Sequence, residues 1–169
     1  LNLKGEIVTG NSPAPFEAPL HTASFNGRAE VHAIARIHGR RANMFSVTDK
    51  KIEPVHNHGS FFSGGVPLFP NTDLISTPEL GLEVVATLGK RAAILLRGNG
   101  QVTVGRSIPE AVMMAIYLEE AAEMLYGALQ IGTPVPLSSE ESARGKEETL
   151  PPVDLERAWS FFKSKIQGR

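Results

Sequence analysis

The sequence predicts an α/β sandwich built on a mixed sheet. Apolar runs of strand length, such as Ala92 to Leu96, are interleaved with longer segments whose apolar residues recur at helical spacing, such as Ile108 to Leu129, and no strict βα repeat orders them. The chain has 169 residues, 41% of them apolar, which suits one domain with a buried core.

Taken in order, Leu3 to Val8 reads as a short hairpin turning at Lys4-Gly5, followed by a Pro-rich link from Asn11 to Pro15. Glu17 to Asn26 has the spacing of a short helix with Leu20, Ala23 and Ser24 on one side, closed by Asn26-Gly27. Val31 to His38 alternates as a strand, and Gly39 to Val47 reads as a helix turning Ala42, Met44 and Phe45 inward. A strand is expected at Ile52 to His58 and a Gly-rich loop at Phe61 to Phe69. Ser76-Thr77-Pro78-Glu79 combines a hydroxyl cap, proline in the first turn and an acid near the positive end of the helix dipole, so a helix starts there and runs to Leu88, where Gly89 stops it. Ala92 to Leu96 and Gln101 to Val104 read as two strands joined at Asn99-Gly100, the strongest two-residue hairpin signal in the chain. Ser107 and Pro109 open the longest helix, whose apolar face is Ala111, Ala115, Leu118, Ala122 and Leu125. Ile131 to Pro152 reads as a polar linker with a solvated charge run from Glu140 to Glu148. Asp154 to Ile166 reads as an amphipathic helix whose Trp159 packs on the main body or on a neighbouring subunit. The expected division is therefore a domain over 1–130, a linker over 131–153 and a C-terminal helix over 154–169.

The formal net charge is −1, so neither a basic nucleic-acid surface nor a disordered acidic tail is indicated. There is no cysteine, which excludes disulfides and thiolate metal sites and fits a cytoplasmic protein. No apolar run is long enough to span a bilayer, and the first ten residues lack the apolar stretch of a signal peptide. The start without Met is read as a processed or truncated chain.

Three segments in fixed order resemble the class II aldolase and adducin family. Glu17-Ala18-Pro19-Leu20-His21 is similar to the family's acid followed four residues later by His. The strand from Val31 to His38 ends in Arg36-Ile37-His38, where the family has His-x-His, and Leu95-Leu96-Arg97-Gly98-Asn99-Gly100 is similar to its Leu-Leu-Arg-Gly-His-Gly. Val104-Gly105-Arg106-Ser107 and Ala115 to Glu120 resemble the branch that includes aromatic-acid decarboxylases. The resemblance covers roughly Leu3 to Gln130. It implies an α/β/α sandwich with a central mixed, mostly antiparallel sheet, and a homo-oligomer, tetrameric by resemblance. The family's opening helix and its Gly-Asn anion loop are expected to be absent or supplied by another polypeptide.

In that family three histidines hold a divalent metal, usually zinc, and a glutamate moves the proton. Carried onto this sequence, the metal positions are Arg36, His38 and Asn99, and the acid is Glu17. Zinc at a catalytic site takes three protein ligands, and arginine stays protonated and repels a cation. One reading therefore has Arg36 replace the metal's charge, holding a carboxylate or developing oxyanion, while Glu17 moves the proton and Asn99 donates to an oxygen. The plainer reading makes Glu17 and Arg36 a structural ion pair, Asn99 part of a type I′ turn and His38 a satisfied core residue.

The other histidines also carry alternatives. His56 and His58, two apart on the expected strand, share a face and with His38 form a candidate three-histidine replacement site; the plainer reading makes them loop residues. His21 either orients Glu17 by a hydrogen bond or is a half-exposed helix residue, and His32 is an edge or packing residue. Phe61, in the Gly-rich loop, is a candidate substrate wall; the plainer reading is a surface loop whose phenylalanines fill the core or a subunit interface. These expectations describe a lyase-like enzyme acting through an enolate-like anion on a small carboxylate or aromatic acid, by aldol-type cleavage or decarboxylation or as a diverged isomerase or cyclase. The alternatives are a metal-free relative with different chemistry and a non-catalytic adducin-like assembly module.

Overall fold

The structure, a computed structural model, describes residues 1–149 and 152–167. Expectations touching Leu150, Pro151, Gly168 and Arg169 lie outside the described residues.

Helix α1 (Ala18–Gly27) follows Glu17 and carries Pro19 in its first turn, where the missing N–H costs nothing. It buries Leu20, Ala23 and Ser24, the side expected from the spacing. Strand β1 (Ala33–Ile37) is shorter than the apolar alternation suggested, and leaves His32 and His38 just beyond its two ends. Helix α2 (Arg40–Phe45) buries Ala42 and Phe45 and leaves Met44 half-buried. A 3-10 helix (Asn57–Phe62) stands where a strand was expected from Ile52 to His58. Strand β2 (Leu68–Phe69) lies inside the segment read as loop. Helix α3 (Pro78–Leu88) is capped as read, with Thr77 Oγ1 accepting from Leu80 N at 3.3 Å and Gly89 at its end. Strands β3 (Ala93–Leu96) and β4 (Gly100–Gly105) are wholly buried. Helix α4 (Ile108–Ile131) starts at Ser107, whose Oγ accepts from Glu110 N, and it buries the five-residue apolar face expected of it. Helices α5 (Ser139–Thr149) and α6 (Pro152–Gln167) follow.

The sheet order is β1-β4-β3-β2, with β4 antiparallel to both β1 and β3 and β2 parallel to β3. Because side chains alternate across a strand, Ile94, Leu96, Val102 and Val104 face α1 and α3, with Leu20, Val84 and Leu88. Ala93 and Leu95 face the other way, onto Met113, Leu118 and Ala122 of α4. Three layers result, as the mixed, mostly antiparallel sheet predicts.

Four expectations are corrected. Leu3 to Val8 is a turn held by Asn2 rather than a strand hairpin, with Glu6 N and Lys4 N both donating to Asn2 Oδ1. Its apolar residues Leu3, Ile7 and Val8 are exposed, so no core draws them into a sheet. The 3-10 helix replaces a strand because Gly59 is buried against Pro54 and Ser60 against Gly145 of α5, which needs a compact turn. The expected linker contains α5, whose Ser142 is buried and whose Gly145 packs against Ser60; a Cβ at Gly145 would collide with the Ser60 hydroxyl. The segment before α5 is tied down as well, with Leu137 N donating to Pro54 O at 2.7 Å. Lastly, the β3–β4 connection is not a two-residue type I′ turn. Its loop is Arg97-Gly98-Asn99, closed by Asn99 N donating to Leu96 O at 2.9 Å, and positive φ falls on Gly98 and Gly100 but not on Asn99.

Candidate functional site

Arg36 pairs with Val102 across β1 and β4, so its side chain lies on the α1 side of the sheet. Glu17 immediately precedes α1 and meets it there. Glu17 Oε1 accepts from Arg36 Nη2 at 3.3 Å and from Nε at 3.4 Å, and Arg36 Nη1 donates to Ile37 O at 3.1 Å. The Arg36 side chain is only 8% exposed and that of Glu17 21%, so the pair is largely withdrawn from water.

His38 and Asn99 complete the corner. His38 Nε2 lies 3.4 Å from Arg36 Nη2 and 3.2 Å from Asn99 Oδ1. One ring nitrogen cannot accept from Arg36 and donate to Asn99 at the same time, so the two contacts belong to different tautomer or amide orientations. Gly100 brings the strands this close. At φ +89 its absent Cβ would run into Ile37 O and come within 3.0 Å of His38 Cα and Arg36 Nη1. Since Asn99 has no positive φ, turn conformation does not account for its identity; its side chain points at His38 instead.

Helix α2 follows directly on this corner, and its first turn is held from a distance. Its N-cap, Gly39, has no side chain to offer. Glu119 of α4 takes that role, accepting from Arg41 N at 2.9 Å and Ala42 N at 2.8 Å. Buried Gln101 links the two, accepting from Gly39 N and donating to Glu119. Sequence reading passed over both residues; a carboxylate and an amide on otherwise buried faces were the available signal.

His21 is half-buried, and burial, the largest influence, lowers its pKa; Glu17 opposes this and Arg36 adds to it. Among the described residues no hydrogen bond joins His21 to Glu17, so the expected orienting contact is not formed. His32 is exposed at the sheet edge, its backbone N–H donating to Gly105 O.

Phe61, His56 and His58 belong elsewhere. Phe61 stacks on Tyr117 of α4 with ring centroids 5.8 Å apart and packs on the α4-side core, across the sheet from Arg36, while Phe62 is buried in that core. It therefore does not wall the Glu17–Arg36 corner. His58 stacks on Tyr117 at 4.4 Å, and its Nδ1 lies 2.8 Å from Glu120 Oε2. His56, His58 and Glu120 bring one ligand atom each within 4.8 Å of one another. The partner expected for the histidine pair, His38, is not in this group; Glu120 is, because the 3-10 helix turns both rings toward α4. Burial and the neighbouring His58 lower the His56 pKa against the pull of Glu120, and burial, with Glu120 and Asp154, raises that of Tyr117.

At the first corner a guanidinium stands where a cation would need a lone pair, already bonded to Glu17 and facing His38. The residues present there do not fit a zinc ion held by three protein ligands. What they gather is a guanidinium with its N–H donors, an amide and an imidazole beside a carboxyl group.

The family profile described as the Class II Aldolase and Adducin N-terminal domain matches residues 1–126. A 3,4-dihydroxyphthalate decarboxylase of Terrabacter sp. is 34% identical over 158 residues, which are 89% of this chain and 59% of that protein. An L-fuculose phosphate aldolase of Methanococcus maripaludis is 29% identical over 128 residues, covering 74% of this chain and 66% of that protein. Among solved structures, an aldolase II superfamily protein from Pseudomonas syringae shares the fold with a TM-score of 0.80 at 22% identity, over 99% of this chain and 69% of that one. The chain thus spans about three-fifths of the length of the decarboxylase it matches.

Proposed function

The chain belongs to the class II aldolase and adducin family, and from that premise we propose that it is a lyase-type enzyme which breaks a carbon–carbon bond in a small aromatic or hydroxy acid, with Arg36 in place of a metal ion. The observation that carries this reading is the convergence of Glu17, Arg36, His38 and Asn99 on one corner.

Likeness to the dihydroxyphthalate decarboxylase favours decarboxylation of a hydroxylated aromatic acid. In that reaction the bond from the ring carbon to the carboxyl carbon breaks and CO2 leaves. The electron pair stays on the ring carbon, spreads onto a neighbouring oxygen as an enolate-like anion, and is then taken up by one proton. The sum is RCO2⁻ + H⁺ → RH + CO2. The chain must therefore hold growing negative charge on oxygen and supply a proton to carbon. Arg36, itself largely withdrawn from water, does the first through paired N–H donors. Glu17, in contact with the guanidinium, moves the proton. Asn99 can turn its amide N–H toward an oxygen of the substrate. In an aldol-type cleavage the same residues would take the proton from a hydroxyl and hold the enolate. We read the working protein as a cytoplasmic homo-oligomer acting on a small anion, with neighbouring copies closing the site.

One observation favours a second reading, that of a non-catalytic assembly module: Arg36 is already bonded to Glu17 and Ile37 O and is 8% exposed. Steady-state decarboxylation of 3,4-dihydroxyphthalate separates the two. Glu17→Gln and Arg36→Lys are expected to lower kcat by about 100-fold each, with Glu17→Gln leaving the thermal midpoint close to that of the parent. If both variants turn over at the parent rate, the pair is structural.

A further inference from the structure

We propose that His56, His58 and Glu120 form a binding site for one divalent transition-metal ion such as zinc, on the face of the sheet opposite the Glu17–Arg36 corner. The site uses none of the residues invoked above, so it stands or falls apart from the proposed function.

Two imidazoles and a carboxylate are a donor set suited to zinc and its neighbours, and three protein ligands leave a position open for water or a small anion. The three ligand atoms lie within 4.8 Å of one another. With bonds of about 2.0–2.2 Å, ligand atoms around one tetrahedral zinc lie about 3.3–3.6 Å apart. Closing the cluster on an ion takes side-chain rotations of about an ångström, and the 2.8 Å contact between His58 and Glu120 opens slightly as the metal enters. The side chains of His58 and Glu120 are 42% and 43% exposed, so they have room to move.

The backbone beneath is well anchored. Glu120 lies mid-way along α4, with His56 just before and His58 in the first turn of the 3-10 helix packed on it. Tyr117, one turn before Glu120, stacks on His58 and fixes the plane of its ring. An ordinary ion pair would explain His58 and Glu120 but leaves His56 without a purpose. Its Nδ1 is buried with no hydrogen-bond partner among the described residues, so the ion pair alone does not account for the ring's place in the cluster. His58 and Glu120 also line two clefts of about 610 and 650 Å³, through which an ion and its fourth ligand could enter.

The test is titration of the full-length, chelator-stripped protein with Zn²⁺ by calorimetry and with Co²⁺ by visible absorption. About one ion per chain is expected, with Co²⁺ giving the intense visible bands of a four- or five-coordinate site. His58→Gln and Glu120→Gln should each weaken binding at least about tenfold, while His38→Ala should bind as the parent does. Because His58→Gln also disturbs the stack on Tyr117, His58→Cys supplies an independent check. It should restore binding and add a sulfur-to-cobalt charge-transfer band, which a merely structural role would not produce. Absence of saturable binding by the parent, binding that survives loss of His58 and Glu120, or binding lost with His38 instead would each overturn the proposal.

Discussion

His21 shows how one half-buried side chain couples the candidate site to acid stability. Burial holds its pKa below the ordinary value near 6.5, with Arg36 acting in the same direction and Glu17 against it. Between the folded and unfolded pKa values the unfolded chain binds a proton that the folded chain does not, so stability rises with pH across that window. The contribution is fully present above about pH 6.5 and is lost as pH falls toward the folded value. His21→Gln should therefore flatten the dependence of the thermal midpoint on pH just below 6.5. A variant whose midpoint falls as steeply as the parent's would remove His21 from that role. Asn99 makes a different point at the same scale. Read as part of an Asn-Gly dipeptide it looks like turn chemistry, yet the positive φ falls on Gly98 and Gly100. Local sequence could not separate the two meanings, because the residue that accounts for Asn99 is His38, which lies 61 positions away.

At the scale of elements, the start of α2 rests on α4. Two of its first-turn N–H groups end on the Glu119 carboxylate, as does Gln101, in a half-buried setting where an unpaired donor is costly. Glu119→Ala should cost about 2–3 kcal/mol of unfolding free energy, with Glu119→Gln losing less because one acceptor oxygen remains. Denaturant unfolding measures both, and a loss below about 0.5 kcal/mol for the alanine variant, the level of an ordinary surface change, would show that water replaces the carboxylate. Sequence patterning placed α1, β1, α2, α3, the β3–β4 pair, α4 and α6, each by apolar spacing or by a cap or turn signal. Those it missed lack such marks. Helix α5 buries Ser142 and sets Gly145 against Ser60, small residues that read as polar linker. Strand β2 is two residues long and exists only because β3 offers it a parallel edge.

Over the whole molecule the sheet separates two sites. Arg36 and Glu17 lie on the α1 side, while His56, His58, Glu120 and Phe61 lie on the α4 side. Among the described residues no helix is long and apolar enough to cross a membrane. The surface is unevenly finished. Phe16, directly before Glu17, is 84% exposed, and Ile131 at the end of α4 is 91% exposed. If the protein works as the proposed homo-oligomer with that site at a subunit contact, Phe16→Asp should lower the molar mass measured by light scattering while leaving the circular dichroism spectrum of the fold unchanged. A monomeric parent, or a variant of undiminished mass, would place the site within one chain.

By itself the sequence determined the sandwich, the principal helices with their caps, and the four residues that converge beside α1. Apolar periodicity and capping are local and repeat along the chain, and the ordered family motifs carried the spacing of Glu17, Arg36, His38 and Asn99 with them. Only the tertiary structure decided which histidines have partners. His56 and His58 were paired with each other by spacing, but Glu120 joins them because a 3-10 turn and the middle of a long helix come to lie side by side. A metal-sized group of donors is a property of distance in space, and a linear pattern holds that distance only where the intervening backbone is regular.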